Sequence, residues 1–363
     1  MNASSFAARL VAWQKNAGRH GLPWQNTRDA YRIWLSEVML QQTQVSAVKP
    51  YYLRFLQRFP DVFALAQADS DDVMAAWAGL GYYSRARSLH RCAQQLVAER
   101  AGQFPDQLSE LDSLPGIGRS TAAAIAVFAF GRREAILDGN VKRVLCRVFG
   151  IDRPMQSQAT ERELVALATE LLPSDDIESY TQGLMDFGAT LCTPRRPACT
   201  SCPFEADCVA RSSEAIDRLP RPKVRRSVPL RRAAFFLLCH DARVLMQRRP
   251  ASGIWGGLWC LPQSEYQSVA ATRDQAAAIA TSMLGCALES NCMPDAVARF
   301  THGFTHFTLE ATVWRFDLQQ TPELPECRWV DASELNALAL PQPIRHLFDQ
   351  FADLRLNSSD LAA

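Results

Sequence analysis

Before residue 230 the apolar positions recur at helical spacing, and almost no alternating pattern is present. Tyr31 to Phe59 reads as one helical run stopped by Pro60. Asp71 and Asp72 open another helix, which ends in Gly79-Leu80-Gly81, and Ser84 to Glu99 forms the next. Ser109 is expected to cap a short helix ended by Pro115-Gly116, followed by an Ala-rich helix from Arg119 to Phe130. Val141, Val144, Leu145 and Val148 repeat at i, i+3, i+4 and i+7, and Tyr180, Leu184, Phe187 and Leu191 line one face of a later helix.

The pattern then changes. Leu219 to Arg232 carries Pro220, Pro222 and Pro229 with Arg221, Lys223, Arg225, Arg226 and Arg231, and no acid, which reads as an extended basic linker. Beyond it Ala233 to Cys239 reads as a strand, His240-Asp241-Ala242 as a turn, and Arg243 to Gln247 as a second strand. Phe300 to Phe307 and Thr308 to Phe316 form another expected hairpin, while Ala271 to Leu284 and Ser333 to Leu340 look helical. The pattern therefore predicts a large all-α region, 1–212, a basic linker, 213–231, and a smaller α/β module, 232–363. No internal repeat or low-complexity segment interrupts them.

The length of 363 residues fits this division into roughly two domains. Charge sharpens it. The whole chain is nearly neutral, at +1, which by itself argues against a nucleic-acid partner. Up to Arg231, however, 29 Lys and Arg face 24 acids, and from Arg232 onward 10 face 14. The positive excess sits in the helical part and is almost all Arg, whose planar fork suits phosphate; a high-GC genome, which favours Arg codons, would leave the same bias. The N-terminus lacks the basic and apolar regions of a signal peptide, and the most apolar run, Thr121 to Phe130, is too short to span a bilayer. A soluble cytoplasmic protein with no membrane partner is expected.

Four of the 11 cysteines, Cys192, Cys199, Cys202 and Cys208, form a C-x6-C-x2-C-x5-C array. Cys92, Cys146, Cys239, Cys260, Cys286, Cys292 and Cys327 are scattered among apolar residues and read as core. Structural zinc usually takes two short knuckles. One short pair with wider loops favours a [4Fe–4S] cluster, with zinc and no metal as the alternatives. Arg195, Arg196 and Arg211 flank the array.

Two further features carry chemistry. Leu114-Pro115-Gly116-Ile117-Gly118 joins two helices, and such a turn can grip a DNA phosphate with backbone N–H groups at a helix N-terminus. No Lys-Ser/Thr follows, so it is not a nucleotide P-loop. Asp138, 20 residues after Gly118, stands at an N-cap, where the dipole and free N–H groups should keep it ionised. Glu37 is the opposite case. Ile33, Trp34 and Leu40 surround it on its helix, so burial should raise its pKa and suit it to proton donation. Two carboxyl groups pushed apart in pKa are the arrangement that cleaves glycosidic bonds; the plain alternatives are a structural cap and a solvent-facing Glu.

Leu-Pro-Gly-Ile-Gly, the aspartate after it and the cysteine array together resemble the helix-hairpin-helix DNA glycosylases. Leu22-Pro23-Trp24 and the run from Trp34 to Val45 resemble the adenine DNA glycosylases (the MutY family) in particular, and the second module is similar to Nudix hydrolases. The resemblance covers nearly the whole chain. It implies a six-helix and a [4Fe–4S] subdomain in the first region and an 8-oxoguanine recognition domain in the last. The implied activity is excision of adenine mispaired with 8-oxoguanine or guanine in duplex DNA, by a monomeric, nucleoid-associated bacterial enzyme. On this resemblance Glu37 protonates adenine at N7, Asp138 stabilises the oxocarbenium-like sugar and Asn140 orients Asp138. Gly116 and Gly118 hold DNA, Gln42 and Tyr82 fill or wedge the duplex, and Cys192, Cys199, Cys202 and Cys208 hold the cluster.

Ser120 stands where strand-cutting relatives carry a Lys that forms a Schiff base, which implies a monofunctional enzyme. Phe304-Thr305-His306-Phe307 resembles the loop that reads 8-oxoguanine, with Thr305 in place of the usual Ser. The R-E-x-x-E-E run of a Nudix hydrolase is replaced by Ala271-Thr272-Arg273-Asp274-Gln275-Ala276-Ala277, so recognition without pyrophosphatase chemistry is expected. Ser120 and the extra domain oppose an endonuclease III-like enzyme. Intact Glu37 and Asp138 oppose a non-catalytic iron–sulfur DNA sensor, and the degenerate box opposes a Nudix hydrolase with a helical appendage.

Overall fold

The computed structural model describes residues 2–155, 157–221, 228–285 and 294–352. The chain divides into two compact units: Met1–Ala68 with Ser88–Arg225, and Asp69–Arg87 with Arg226–Ala363. The second therefore includes a short segment from the helical part of the sequence.

Among its described residues the first unit is built of helices joined by loops and holds no strand, only an isolated bridge between Pro154 and Arg221. Its elements are α1 (Ala3–Ala17), α2 (Ala30–Leu40), α3 (Val45–Arg58) and α4 (Val62–Gln67). After α5 (Ser70–Trp77), which belongs to the second unit, come α6 (Ser84–Arg100), in which the unit boundary falls, α7 (Leu108–Asp112), α8 (Arg119–Phe130), α9 (Gly139–Phe149), α10 (Gln158–Glu170), α11 (Ile177–Asp186) and α12 (Val209–Ser212). One core joins Phe6 of α1, Val144, Leu145 and Val148 of α9, Tyr180 and Leu184 of α11, and Phe187 and Phe204. Phe204 stacks on Phe6 with ring centroids 4.7 Å apart, which ties the cysteine-bearing loops to the helices.

Several boundaries differ from the sequence pattern. The run Tyr31 to Phe59 is two helices, broken at Gln41-Gln42-Thr43-Gln44, where Gln42 adopts φ +58°. Four polar residues in a row give that turn no apolar side chain to seat in the core, so periodicity resumes across a gap. Ser109 lies inside α7, whose N-cap is Gln107. After Asp186 the α-helix passes into a π turn, Phe187–Leu191. Part of the expected linker is packed: Leu219 is buried, Arg221 donates to Asp152 at 2.6 Å, and Leu230 already belongs to a strand. Pro222, Lys223, Arg225 and Arg226 lie outside the described residues.

The second unit is built on a mixed sheet: β1 (Leu230–His240), β2 (Arg243–Arg248), β3 (Trp259–Cys260), β4 (Asp295–Gly303), β5 (Thr308–Asp317) and β6 (Cys327–Asp331), in the order β3-β2-β1-β5-β4 with β6 also on β2. β1 runs antiparallel to β2 and parallel to β5. Helix α13 (Arg273–Leu284) lays Ala276, Ala280 and Leu284 against Phe236, Leu238, Leu245 and Phe316 of the sheet, and α14 (Gln342–Ala352) ends the described chain. The expected strand Phe300 to Phe307 ends at Gly303, leaving Phe304–Phe307 as a four-residue tip closed by Phe304 N–H donating to Phe307 O at 2.8 Å. Ser333 to Leu340 overlaps a 3-10 turn, Ala332–Ala337, and holds no α-helix. Cys92, Cys146, Cys239 and Cys260 are buried and Cys327 is half-buried; Cys286 and Cys292 lie outside the described residues. Among the described residues no helix is long and apolar enough to cross a membrane.

Candidate functional site

Glu37 projects from α2, whose start is fixed by Asp29 accepting from the N–H groups of Tyr31 and Arg32. Ile33, Trp34, Leu35, Val38 and Met39 on the same helix are buried. Glu37 itself lines a cavity of about 500 Å³ with Trp24, Gln25, Ser36, Phe128 and Gln182. Burial first, and then the charge of Asp138, push its pKa up to about 8. The carboxyl group is thus protonated at neutral pH, as the surrounding apolar turn suggested.

Asp138 is the N-cap of α9 and accepts from Val141 N–H at 2.7 Å. The two carboxyl groups are close enough for the charge on Asp138 to disfavour that on Glu37. Asp138 is not among the residues lining the cavity. Its pKa is raised by burial, against the downward pull of the Val141 and Asn140 backbone N–H groups, Arg143 and Lys142. This corrects the expectation that the cap dominates: the aspartate is half-buried, and desolvation outweighs the donors. Asp138 and Glu37 are therefore a coupled pair, in which a charge on the aspartate disfavours one on the glutamate.

Asn140 sits in the first turn of α9, and its side-chain oxygen accepts from Arg143 Nη2 at 2.7 Å. Arg143 also donates from Nε to Cys192 O at 2.9 Å and from Nη2 to Gly188 O at 2.6 Å. One guanidinium therefore joins the turn that carries Asp138 to the loop that begins the cysteine array. One helical turn on, Arg147 is 2% exposed and donates to Leu219 O at 2.8 Å, Thr193 O at 2.7 Å and Pro194 O at 3.1 Å, with Cys192 Sγ at 3.5 Å. Sequence reasoning missed both arginines. Spaced four apart on an amphipathic helix, they read as its solvent face.

Cys192, Cys199, Cys202 and Cys208 line one small cavity together with Arg147 and Arg211. Burial and the neighbouring Cys192, Cys208 and Cys199 push Cys202 up to about 11, so the four sulfurs lie within electrostatic reach of one another. Phe204 N–H donates to Cys202 Sγ at 3.3 Å. Among the described residues, no three His, Cys, Asp or Glu converge as ligands of a single metal ion would. Four soft donors facing a shared space, with an N–H and a guanidinium aimed at sulfur, fit an iron–sulfur cluster.

The hairpin is set by Gly116 at φ +76°, where an added Cβ would lie 2.5 Å from Ser88 Cβ. Buried Leu114 and Ile117 anchor it, and Gly118 is the N-cap of α8 with no side-chain hydrogen bond. Ser120 follows in the first turn of α8. Gln42, exposed, occupies the break between α2 and α3.

The remaining residues gather in the second unit. Tyr82, at φ +48° and 49% exposed, lines a cavity of about 440 Å³ with Arg87, Trp255, His302, Thr305 and His306. Thr305 and His306 are exposed at the β4–β5 tip. The structure thus brings Tyr82 to Thr305 and His306, which the sequence order separates by more than two hundred residues. Sequence reasoning missed Trp255.

Residues 35–169 match the HhH-GPD superfamily base excision DNA repair protein model, and residues 233–350 match a NUDIX domain. A protein of Buchnera aphidicola subsp. Acyrthosiphon pisum described as adenine DNA glycosylase is 30% identical over 95% of this chain and 97% of its own. Its Homo sapiens counterpart is 32% identical over 95% of this chain and 73% of the human protein. Among solved structures, a thermostable thymine-DNA glycosylase superposes with a TM-score of 0.53 at 28% identity, covering 58% of this chain and 97% of the other.

Proposed function

The chain belongs to the adenine DNA glycosylase family, and from that premise we propose that it hydrolyses the N-glycosidic bond of adenine paired with 8-oxoguanine or guanine in duplex DNA, without cutting the strand. The observation that carries the reading is the carboxyl pair: Glu37, pushed up to about 8, lines a cavity and lies within reach of the charge of Asp138. A flipped adenine enters the cavity. Glu37 gives its proton to N7, so the base leaves neutral. Asp138 stabilises the cationic sugar as the bond breaks, with Asn140 and Arg143 holding its turn in place. Ser120 offers no amine, so no Schiff base forms at the abasic sugar.

The hairpin N–H groups about Gly116 and Gly118 hold one phosphate, Gln42 and Tyr82 enter the duplex at the lesion, and Thr305 and His306 read 8-oxoguanine. Residues 1–212 carry the chemistry, 213–231 link, and 232–363 recognise the lesion, with Tyr82 and its neighbours joining that second role. Cys192, Cys199, Cys202 and Cys208 would hold a [4Fe–4S] cluster, which when bound ties their loops into one rigid piece. The enzyme works as a monomer on the bacterial nucleoid.

The test is adenine release from duplexes containing A:8-oxoguanine and A:G. Release from both, with no borohydride-trapped protein–DNA adduct, is expected. Release of thymine glycol, or of nothing, refutes the reading.

A further inference from the structure

The tip is anchored at its far end by Phe307, which is buried and packs on Tyr266 at 5.2 Å, while Thr305 and His306 are exposed and one backbone hydrogen bond closes the turn. Phe304, next to Thr305, is held by rings. It lies 4.7 Å from His302, 4.8 Å from Phe307 and 5.4 Å from Trp255, centroid to centroid. Trp255 also touches His302 at 5.8 Å and Phe235 of β1 at 6.2 Å. One indole therefore bridges the sheet core, the end of β4 and the first residue of the tip.

The loop that presents this indole is tightly built. Trp255 is 8% exposed yet adopts φ +54°, a left-handed conformation that side chains of its kind avoid. Gly256 beside it has no room for a side chain, because a Cβ would sit 2.7 Å from Ala251 O. Gly257 N–H donates to Arg249 O at 3.2 Å and to Pro250 O at 3.1 Å, and Leu258 N–H to Trp255 O at 3.0 Å. Arg87 donates to Gly256 O. Strain of this kind persists only where surrounding contacts over-determine it, and it clusters at working surfaces.

We propose that Trp255 is a positioning residue for lesion recognition: its indole holds Phe304 and so fixes where Thr305 meets the base opposite adenine. The inference rests on the proposed role of Thr305. Residues that act through one another give non-additive effects, whereas residues that touch the ligand separately give effects that multiply. The experiment uses the full-length protein and duplexes in which 2′-fluoro-adenosine, whose electron-poor sugar resists cleavage, stands opposite 8-oxoguanine or guanine.

The measured quantity is the ratio of the two dissociation constants. Thr305→Ala and Trp255→Ala are each expected to reduce the 8-oxoguanine preference about tenfold, or about 1.4 kcal/mol. The double variant should fall no further than either single one. Trp255→Phe should restore most of the preference, because a smaller ring still meets Phe304, while Trp255→Leu should not. It also keeps the test available if Trp255→Ala unfolds the unit. Multiplying effects, or full preference in Trp255→Leu, overturn the inference while leaving the role of Thr305 intact. Unchanged preference in Thr305→Ala overturns both.

Discussion

Glu37→Gln should abolish turnover and at the same time stabilise the protein, by an amount that depends on pH. An ordinary glutamate ionises near 4.5, and Glu37 in the folded protein near 8. Below pH 4.5 the group is neutral in both states and contributes nothing. Between the two values the unfolded chain releases a proton that the folded one keeps, so stability falls as pH rises, by about 1.4 kcal/mol per pH unit. At pH 7 the accumulated cost is about 3 kcal/mol; at pH 5 it is under about 1 kcal/mol, and by pH 9 it levels off near about 5 kcal/mol. These are upper values, because Glu37 is half-buried and partial solvent exposure eases the charge. Gln keeps the shape and cannot ionise, so it removes the cost. Urea denaturation of both proteins at pH 5, 7 and 9 reads the difference. A gain that grows with pH, together with a wild-type excision rate that falls above about pH 8, is expected. A gain that is flat with pH, or a loss at pH 9, refutes the claim that Glu37 is held neutral.

Gly116→Ala should weaken duplex binding about tenfold, since it forces an L side chain into φ +76° against Ser88; Gly118→Ala, with open space and an ordinary φ, should lose under twofold, and equal losses by gel shift would contradict the geometry. Arg143→Met should destabilise by about 3 kcal/mol in urea and slow single-turnover excision, because the Cys192 and Gly188 carbonyls lose their charged donor. Arg143→Lys should not rescue, as one ammonium lacks the fork that spans these oxygens; wild-type stability in Arg143→Met would contradict this. The purified protein should be brown, absorbing near ~410 nm, and iron removal should lower its melting temperature. A colourless protein with stoichiometric zinc would overturn the cluster.

Truncation at residue 231 would be a poor probe of recognition. Asp71 pairs with Arg248, and Tyr83 Oη donates to Leu340 O at 3.2 Å, so cutting the chain there strips Asp69–Arg87 of its own unit. Point substitutions such as Thr305→Ala remove one contact and leave that packing intact.

Where many of the candidate residues lie was legible in the sequence because its signals are local. The helix from Arg119 to Phe130 lies where its apolar run places it, Asp138 caps the helix its position announces, and the four cysteines that share a cavity share one short stretch of chain. Glu37 was legible because its own helical neighbours are apolar. Tertiary structure decided what depends on packing between distant segments. Arg143 and Arg147 look like a solvated face until the loops of Gly188 to Pro194 and Leu219 cover them. Asp138 rises in pKa because burial, which no cap motif encodes, outweighs its donors. Tyr82 shares a cavity with Thr305, and Trp255 meets Phe304, only because the sheet unit recruits Asp69–Arg87 and folds the loop about Gly256 against β4. Periodicity and caps follow from bonds and contacts within a few residues, whereas burial is a property of the whole packed unit.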